Sequence, residues 1–118
     1  MLKKIYKLNS TQIKELFIKY NKNIKIIRND YFELKIVKNN SPYSKFGIVL
    51  SKKIVKKAVI RNKTRRRFYS IIEDLYKKES FLLENNLYIL IYIKEKSIDT
   101  QFSLLKEIMY NTILNIKI

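Results

Sequence analysis

The chain has 118 residues, 47% of them hydrophobic, with one glycine, one proline and a formal net charge of +16 from 26 Lys or Arg against 10 acids. That length fits one domain over residues 1–118 with a real core, and the apolar content excludes a disordered tail. The absence of Cys and His removes disulfides, thiolate nucleophiles, zinc sites built from these ligands and His-based acid–base catalysis.

The opening stretch, MLKKIYKLNST, lacks the apolar run of a secretory signal, so a cytoplasmic protein is expected. In NSTQIKELFIKY, Ile13, Leu16, Phe17 and Tyr20 recur at i, i+3, i+4, i+7, which predicts a helix with Asn9 or Ser10 as its N-cap. NIKII reads as a short strand. In YFELKIV, Phe32, Leu34 and Ile36 alternate with Tyr31, Glu33 and Lys35, the pattern of a half-buried strand. KNNSPYSK holds the only proline and is a loop. KFGIVLS reads as a further strand, expected to pair with YFELKIV as a hairpin, and its Gly47 marks either a bulge or a close approach of another group.

A long helix follows. Thr64, Phe68, Ile71, Ile72 and Leu75 define its apolar stripe, and at ~100° per residue Arg61, Asn62, Lys63, Arg65 and Arg66 sweep around the opposite side. Ala58, near its start, is small enough for close packing. KKESFLLENN ends this helix. LYILIYI, Leu87 to Ile93, is apolar on both faces and so is a central strand, and it is far too short to cross a bilayer. Phe102, Leu105, Met109, Ile113 and Ile116 place a helix at the end of the chain.

Charge is concentrated. No acid lies between Glu33 and Glu73, and residues 34–72 carry twelve of the Lys and Arg. Codon drift toward lysine would scatter charge along the chain, whereas here nine bases fall within the sixteen residues from Lys52 to Arg67. A solvated helix face would carry balancing acids at i+4, and this stretch has none. A membrane-surface helix or a calmodulin-like target would need a free apolar face, and this stripe is committed to a core. Phosphate binding accounts for the pattern: Arg forks grip phosphate oxygens in pairs, Lys adds mobile charge, and Asn62 can bond a base or sugar edge. A DNA recognition helix usually belongs to a compact helical unit, whereas this helix is embedded among strands, which fits RNA better than DNA without deciding between them; no membrane partner is expected.

SKKIVKKAVIRNKTRRRF resembles the signature of the protein subunit of bacterial ribonuclease P, in which Lys-Lys after a Gly-containing strand precedes Ala-x-x-Arg-Asn and a basic run. The likeness continues through YFELKIV and KFGIVLSKK upstream and the lone apolar strand and terminal helix downstream. It implies an α+β domain of order αβββαβα, a central mixed sheet, and the basic helix in a left-handed crossover connection. It implies that Lys52, Lys53, Lys56, Lys57, Arg61, Asn62, Lys63, Arg65, Arg66 and Arg67 contact the catalytic RNA subunit. It further implies a cleft for the single-stranded 5′ leader of precursor tRNA, formed by Ile13, Phe17, Tyr31, Lys35, Lys45 and Ser51. Phe17 reads equally as core. The resemblance puts catalysis on the RNA with its Mg2+, and no cofactor, metal or active site on the protein. Lys63, Thr64 and Tyr69 depart from the family's usual Arg, aliphatic residue and Arg, and Ile13 and Lys35 from aromatics found in other members. A small ribosomal or other rRNA-binding protein is the alternative, although it would more often carry a long basic tail. A protein-only nuclease would need clustered carboxylates for metals, and the acids here are scattered.

Overall fold

Strand β2 (Phe32–Lys38) obeys its alternation: Phe32, Leu34 and Ile36 are buried, and Glu33 and Lys35 are half-buried on the opposite face. It forms a hairpin with β1 (Lys25–Arg28). Asn29 closes the turn, its side-chain oxygen accepting hydrogen bonds from the Tyr31 and Phe32 N–H groups at 2.8 and 2.9 Å. Strand β3 (Lys45–Val49), helix α1 (Ala58–Lys78), strand β4 (Leu87–Ile93), a 3₁₀ turn (Glu95–Ser97) and helix α2 (Phe102–Leu114) follow. The computed structural model describes residues 7–9, 11, 13, 24–38, 44–51, 53–78 and 87–116. Of the predicted first helix, Thr11 and Ile13 are helical, and the Ile13 N–H bonds the Asn9 carbonyl at 3.0 Å. Ser10, Leu16, Phe17, Tyr20 and most of the KNNSPYSK and KKESFLLENN loops lie outside the described residues.

The four strands make one mixed sheet of order β1-β2-β4-β3. Strand β4 is antiparallel to β2 and parallel to β3. The expected hairpin between YFELKIV and KFGIVLS is therefore not formed, and β4 lies between them. The physical reason is burial. Leu87, Ile89, Leu90, Ile91 and Ile93 of β4 are all buried, so this strand gains most from a position with neighbours at both edges. Helix α1, 21 residues long, carries the chain across from β3 to its parallel neighbour β4. The outer edge of β3 is partly covered by Lys7 and Leu8, where the Leu8 N–H donates to the Phe46 carbonyl at 2.8 Å. The opposite edge strand, β1, is four residues long and carries Lys25 and Arg28, which discourages pairing with another chain.

Both helices pack on one face of the sheet. Phe32 and Leu34 of β2, Phe46 of β3 and Ile89 and Ile91 of β4 meet Phe68, Ile71, Ile72 and Leu75 of α1 and Leu105, Met109 and Ile113 of α2. Thr64 also sits in this apolar stripe, 3% exposed, because its hydroxyl is satisfied by the Ile60 carbonyl at 2.8 Å. Ile116 is buried just beyond α2, whereas Phe102 at its start is 40% exposed, off the expected stripe. A smaller apolar cluster of Leu8, Val37 and Leu90 occupies the other face of the sheet. Gly47 belongs to it. Its strand pairs residue for residue with β4, so there is no bulge, and a Cβ here would lie 2.7 Å from Leu90 Cδ2 and 3.3 Å from Leu8 Cβ. The close approach is that of two leucine side chains.

Asp74 ties the helices together. Its carboxylate pairs with Lys106 of α2 and, at 3.3 Å, with Lys78, and it accepts a hydrogen bond from the Tyr110 hydroxyl at 2.8 Å. The bonds from Lys106 and then Tyr110 hold its carboxyl well below the usual carboxylate range, against the opposing effect of burial. A depressed folded-state pKa contributes stability that is complete above the unfolded value of about 4 and is lost as the pH falls through the folded value. Thermal melts between neutral pH and about pH 2 should show this. Asp74→Asn is expected to melt earlier at neutral pH and to lose part of the acid-side decline, and a decline as steep as the parent's would exclude Asp74 from the linkage.

Candidate nucleic-acid interface

Helix α1 separates its chemistry by face and by end. Its buried stripe comprises Thr64, Phe68, Ile71, Ile72, Leu75 and Tyr76. Its acids, Glu73 and Asp74, lie toward the C-terminus, where they pair with Lys77 and Lys78 at 3.3 Å each. The first turn has no acid. Around that end, Lys53, Lys56, Lys57, Asn62, Lys63 and Arg66 are exposed and Arg65 is half-buried, and no ion pair among the described residues involves any of them. The positive end of the helix dipole points the same way, so the cations meet no local compensation and an anion would be favoured there. Ala58, small enough for close packing, is not closely packed. It is exposed with Val59 and Ile60, at the mouth of this charged surface.

The bases do not all stand alike. The Arg61 guanidinium turns back on its own chain: Nη1 donates to the Val55 and Lys56 carbonyls at 2.9 and 2.7 Å. Ser51 shapes the other end of the same loop. Its hydroxyl accepts from the Lys53 N–H at 3.0 Å, and its carbonyl accepts from the Ile54 and Val55 N–H groups at 3.1 and 3.2 Å. Ser51 and Arg61 thus hold the segment that carries Lys53, Lys56 and Lys57 in one shape. Arg67 points elsewhere, donating to the Ile98 and Thr100 carbonyls at 3.2 and 2.5 Å, with its guanidinium 6.0 Å from the Phe102 ring centroid. Lys52 lies outside the described residues.

Asn62, Arg65, Arg66 and Tyr69 line a hollow of about 400 Å3 on α1. Lys7 Nζ sits 4.5 Å from the Tyr69 ring centroid. Burial raises the Tyr69 phenol above its ordinary pKa, with the Arg65 charge pulling the other way, so the hydroxyl remains a donor at neutral pH.

The sheet face away from the two helices offers a second surface. Strand register sets Leu90 between Lys35 and Gly47, and Tyr88 between Val37 and Lys45. Lys35 Nζ lies 4.8 Å from the Tyr92 ring centroid. Burial, with the Glu33 carboxylate adding, pushes the Tyr92 phenol up to about 12. Ile13 packs half-buried against Leu8, Val37 and Leu90, at the side of this surface. Phe17 lies outside the described residues. Tyr31, expected beside Lys35, is not there. It precedes β2 in the turn, packs against the main core, and has Lys96 Nζ 5.2 Å from its ring centroid. Tyr88 and Tyr92 were not anticipated as surface residues. Their signal was present, because in LYILIYI they share one parity while Leu87, Ile89, Ile91 and Ile93 share the other.

Among the described residues no three acidic side chains come together to hold a cation, and no helix is long and apolar enough to cross a membrane. A mixed sheet backed by two helices, one presenting uncompensated cations around its N-terminal half, defines a protein built to hold a polyanion. The family model for ribonuclease P matches residues 2–117, and the chain belongs to that family, the protein subunit of a tRNA-processing ribonucleoprotein. Membership implies an RNA partner, ribonuclease P RNA, and does not favour the ribosomal alternative. The fold is similar to that of the RNase P protein from Thermotoga maritima, with a TM-score of 0.74, 24% identity, and 94% of this chain and 97% of that chain covered. It is also similar to the RNase P protein of Staphylococcus aureus, with a TM-score of 0.73, 17% identity, and 94% and 96% covered. Curated protein sequences give no match.

Proposed function

We propose that the N-terminal half of α1 and the Ser51–Lys57 loop grip the ribonuclease P RNA, while the sheet face bearing Lys35 and Lys45 receives the 5′ leader of precursor tRNA. The carrying observation is the uncompensated cationic surface of α1 and the loop before it, where Lys53, Lys56, Lys57, Lys63, Arg65 and Arg66 meet no acid and the helix dipole adds to their charge. Phosphates would relieve that repulsion, and Arg65 and Arg66 supply forks suited to them. Arg61 and Ser51 contribute by holding the loop in shape, and Arg67 by holding the turn before α2. The protein binds and positions, and the chemistry belongs to the RNA with its Mg2+, a reading supported by membership of the ribonuclease P family. The partner is RNA and not DNA, and the place of action is the cytoplasm, where precursor tRNA is the substrate.

The leader surface combines charge with limited aromatic area. Lys35 lies over Tyr92, and Lys45 stands beside Tyr88. Stacking on an aromatic contributes roughly 1–3 kcal/mol per base, and each neutralised phosphate of a single strand adds about 0.7 to the salt slope. Lys35→Ala in the holoenzyme is expected to flatten the salt dependence of precursor-tRNA binding by about that amount. Mature-tRNA affinity should be unchanged, because mature tRNA has no leader. The readout is the precursor-to-mature affinity ratio over a salt series. A ratio left intact by both Lys35→Ala and Phe17→Ala would remove the leader from this surface.

A further inference from the structure

We propose that the hollow between Asn62, Arg65, Arg66 and Tyr69 is a pocket for one unpaired nucleotide of the partner RNA, with its base against the Tyr69 ring and its phosphate at the two guanidinium groups. The inference rests on the reading that α1 faces RNA, and deepens it by assigning a single-nucleotide subsite. The four residues sit at i, i+3, i+4 and i+7, so they line one continuous face over two turns of α1. The hollow of about 400 Å3 is shallow and broadly open to solvent, so a nucleotide could enter it from the surface.

Three chemistries converge there. Arg65 and Arg66 carry planar forks that match phosphate oxygens. Asn62, exposed on the preceding turn, both donates and accepts, as a base edge requires. Tyr69 is the anomaly on an otherwise cationic face, an aromatic ring set beside three polar or charged neighbours. It is also ordered in advance. The ring is half-buried against the core, and Lys7, from the segment along the β3 edge, lies 4.5 Å from its centroid. A ring already held in place loses little entropy when a base packs against the part that Lys7 and the core leave open. An A-form duplex presents phosphates and 2′-hydroxyls but no splayed base, so the pocket favours a bulged or looped nucleotide over a paired one.

The test is binding of the ribonuclease P RNA by wild-type protein, Tyr69→Phe and Tyr69→Leu over a salt series, with base-reactivity probing of the RNA in each complex. Tyr69→Leu should bind about tenfold more weakly, or about 1.4 kcal/mol, with an unchanged salt slope because no charge is removed. Tyr69→Phe should keep most of the affinity. One unpaired base should be protected by wild type and Tyr69→Phe and regain reactivity with Tyr69→Leu. If Tyr69→Leu changes neither affinity nor protection while removal of Arg65 and Arg66 still flattens the slope, the pocket proposal is overturned and the RNA-facing reading of α1 stands. If the arginine variant also leaves the slope unchanged, that reading fails and the pocket fails with it. A Tyr69→Leu protein that did not fold would leave the decision to ultraviolet crosslinking of the wild-type complex, where a nucleotide adduct on Tyr69 supports the pocket and adducts confined to other residues overturn it.

Discussion

Phe68→Ala is expected to cost about 3–5 kcal/mol of stability, the usual range for removing a fully buried aromatic. Phe68 has no exposed surface, and its ring meets that of Phe32 edge-on at 6.3 Å between centroids and 87° between planes. Truncation would remove this contact and leave a cavity where α1 crosses the sheet. For a domain of this size the loss corresponds to a fall in melting temperature on the order of 10–20 °C. Below the transition the folded fraction should bind RNA with near-parent affinity, because the substituted side chain faces away from the cationic surface. Urea titrations and thermal melts read the first effect, and RNA titration in the cold reads the second. A cost below about 1 kcal/mol, the level of an ordinary surface substitution, would mean that α1 does not share the core of the sheet.

The second large effect is on binding. Replacing both Arg65 and Arg66 with alanine is expected to weaken association with the ribonuclease P RNA by about ten- to a hundredfold near physiological salt. The slope of log affinity against log salt should flatten by about 1.4–1.8, as expected for two fewer neutralised phosphates. Stability should hold or rise slightly, because like charges leave a chain whose net charge is +16. Arg61 is a poorer choice for this test. Its Nη1 bonds the Val55 and Lys56 carbonyls, so Arg61→Ala would disturb the lysine-bearing loop as well as remove a charge. Arg67 is poorer still, since its guanidinium serves the turn at Ile98 and Thr100. An unchanged slope and affinity for the double variant would remove α1 from the RNA interface.

Much of the fold was legible from periodicity. The alternation of Phe32, Leu34 and Ile36 defined β2, and the spacing of Phe68, Ile71, Ile72 and Leu75 defined the buried face of α1. The apolar run from Leu87 to Ile93 marked the central strand and its ends. These patterns are local. A strand or helix repeats its geometry every 2 or 3.6 residues, so neighbours along the chain record which face is buried. The charge of α1 was legible for the same reason, because balancing acids at i+3 or i+4 would have appeared in the sequence.

The candidate surfaces were legible only in part. Lys35 and Lys45 lie on the expected side of the sheet, but Tyr31 does not, because the Asn29 turn places it ahead of the strand. Tyr88 and Tyr92 reach that surface because β4 lies between β2 and β3, an insertion that alternation within any one strand does not reveal. The sequence by itself determined where the helix and strands form, which faces are apolar, and that one helix carries charge with no local partner. Tertiary structure alone decided that β3 pairs with β4 and not β2, that Arg61 and Arg67 spend hydrogen bonds on backbone carbonyls, and that Lys7 reaches Tyr69. The reason is physical: strand pairing and carbonyl capture join groups that meet only after the chain reverses, and their free energies depend on burial and geometry that no local period encodes.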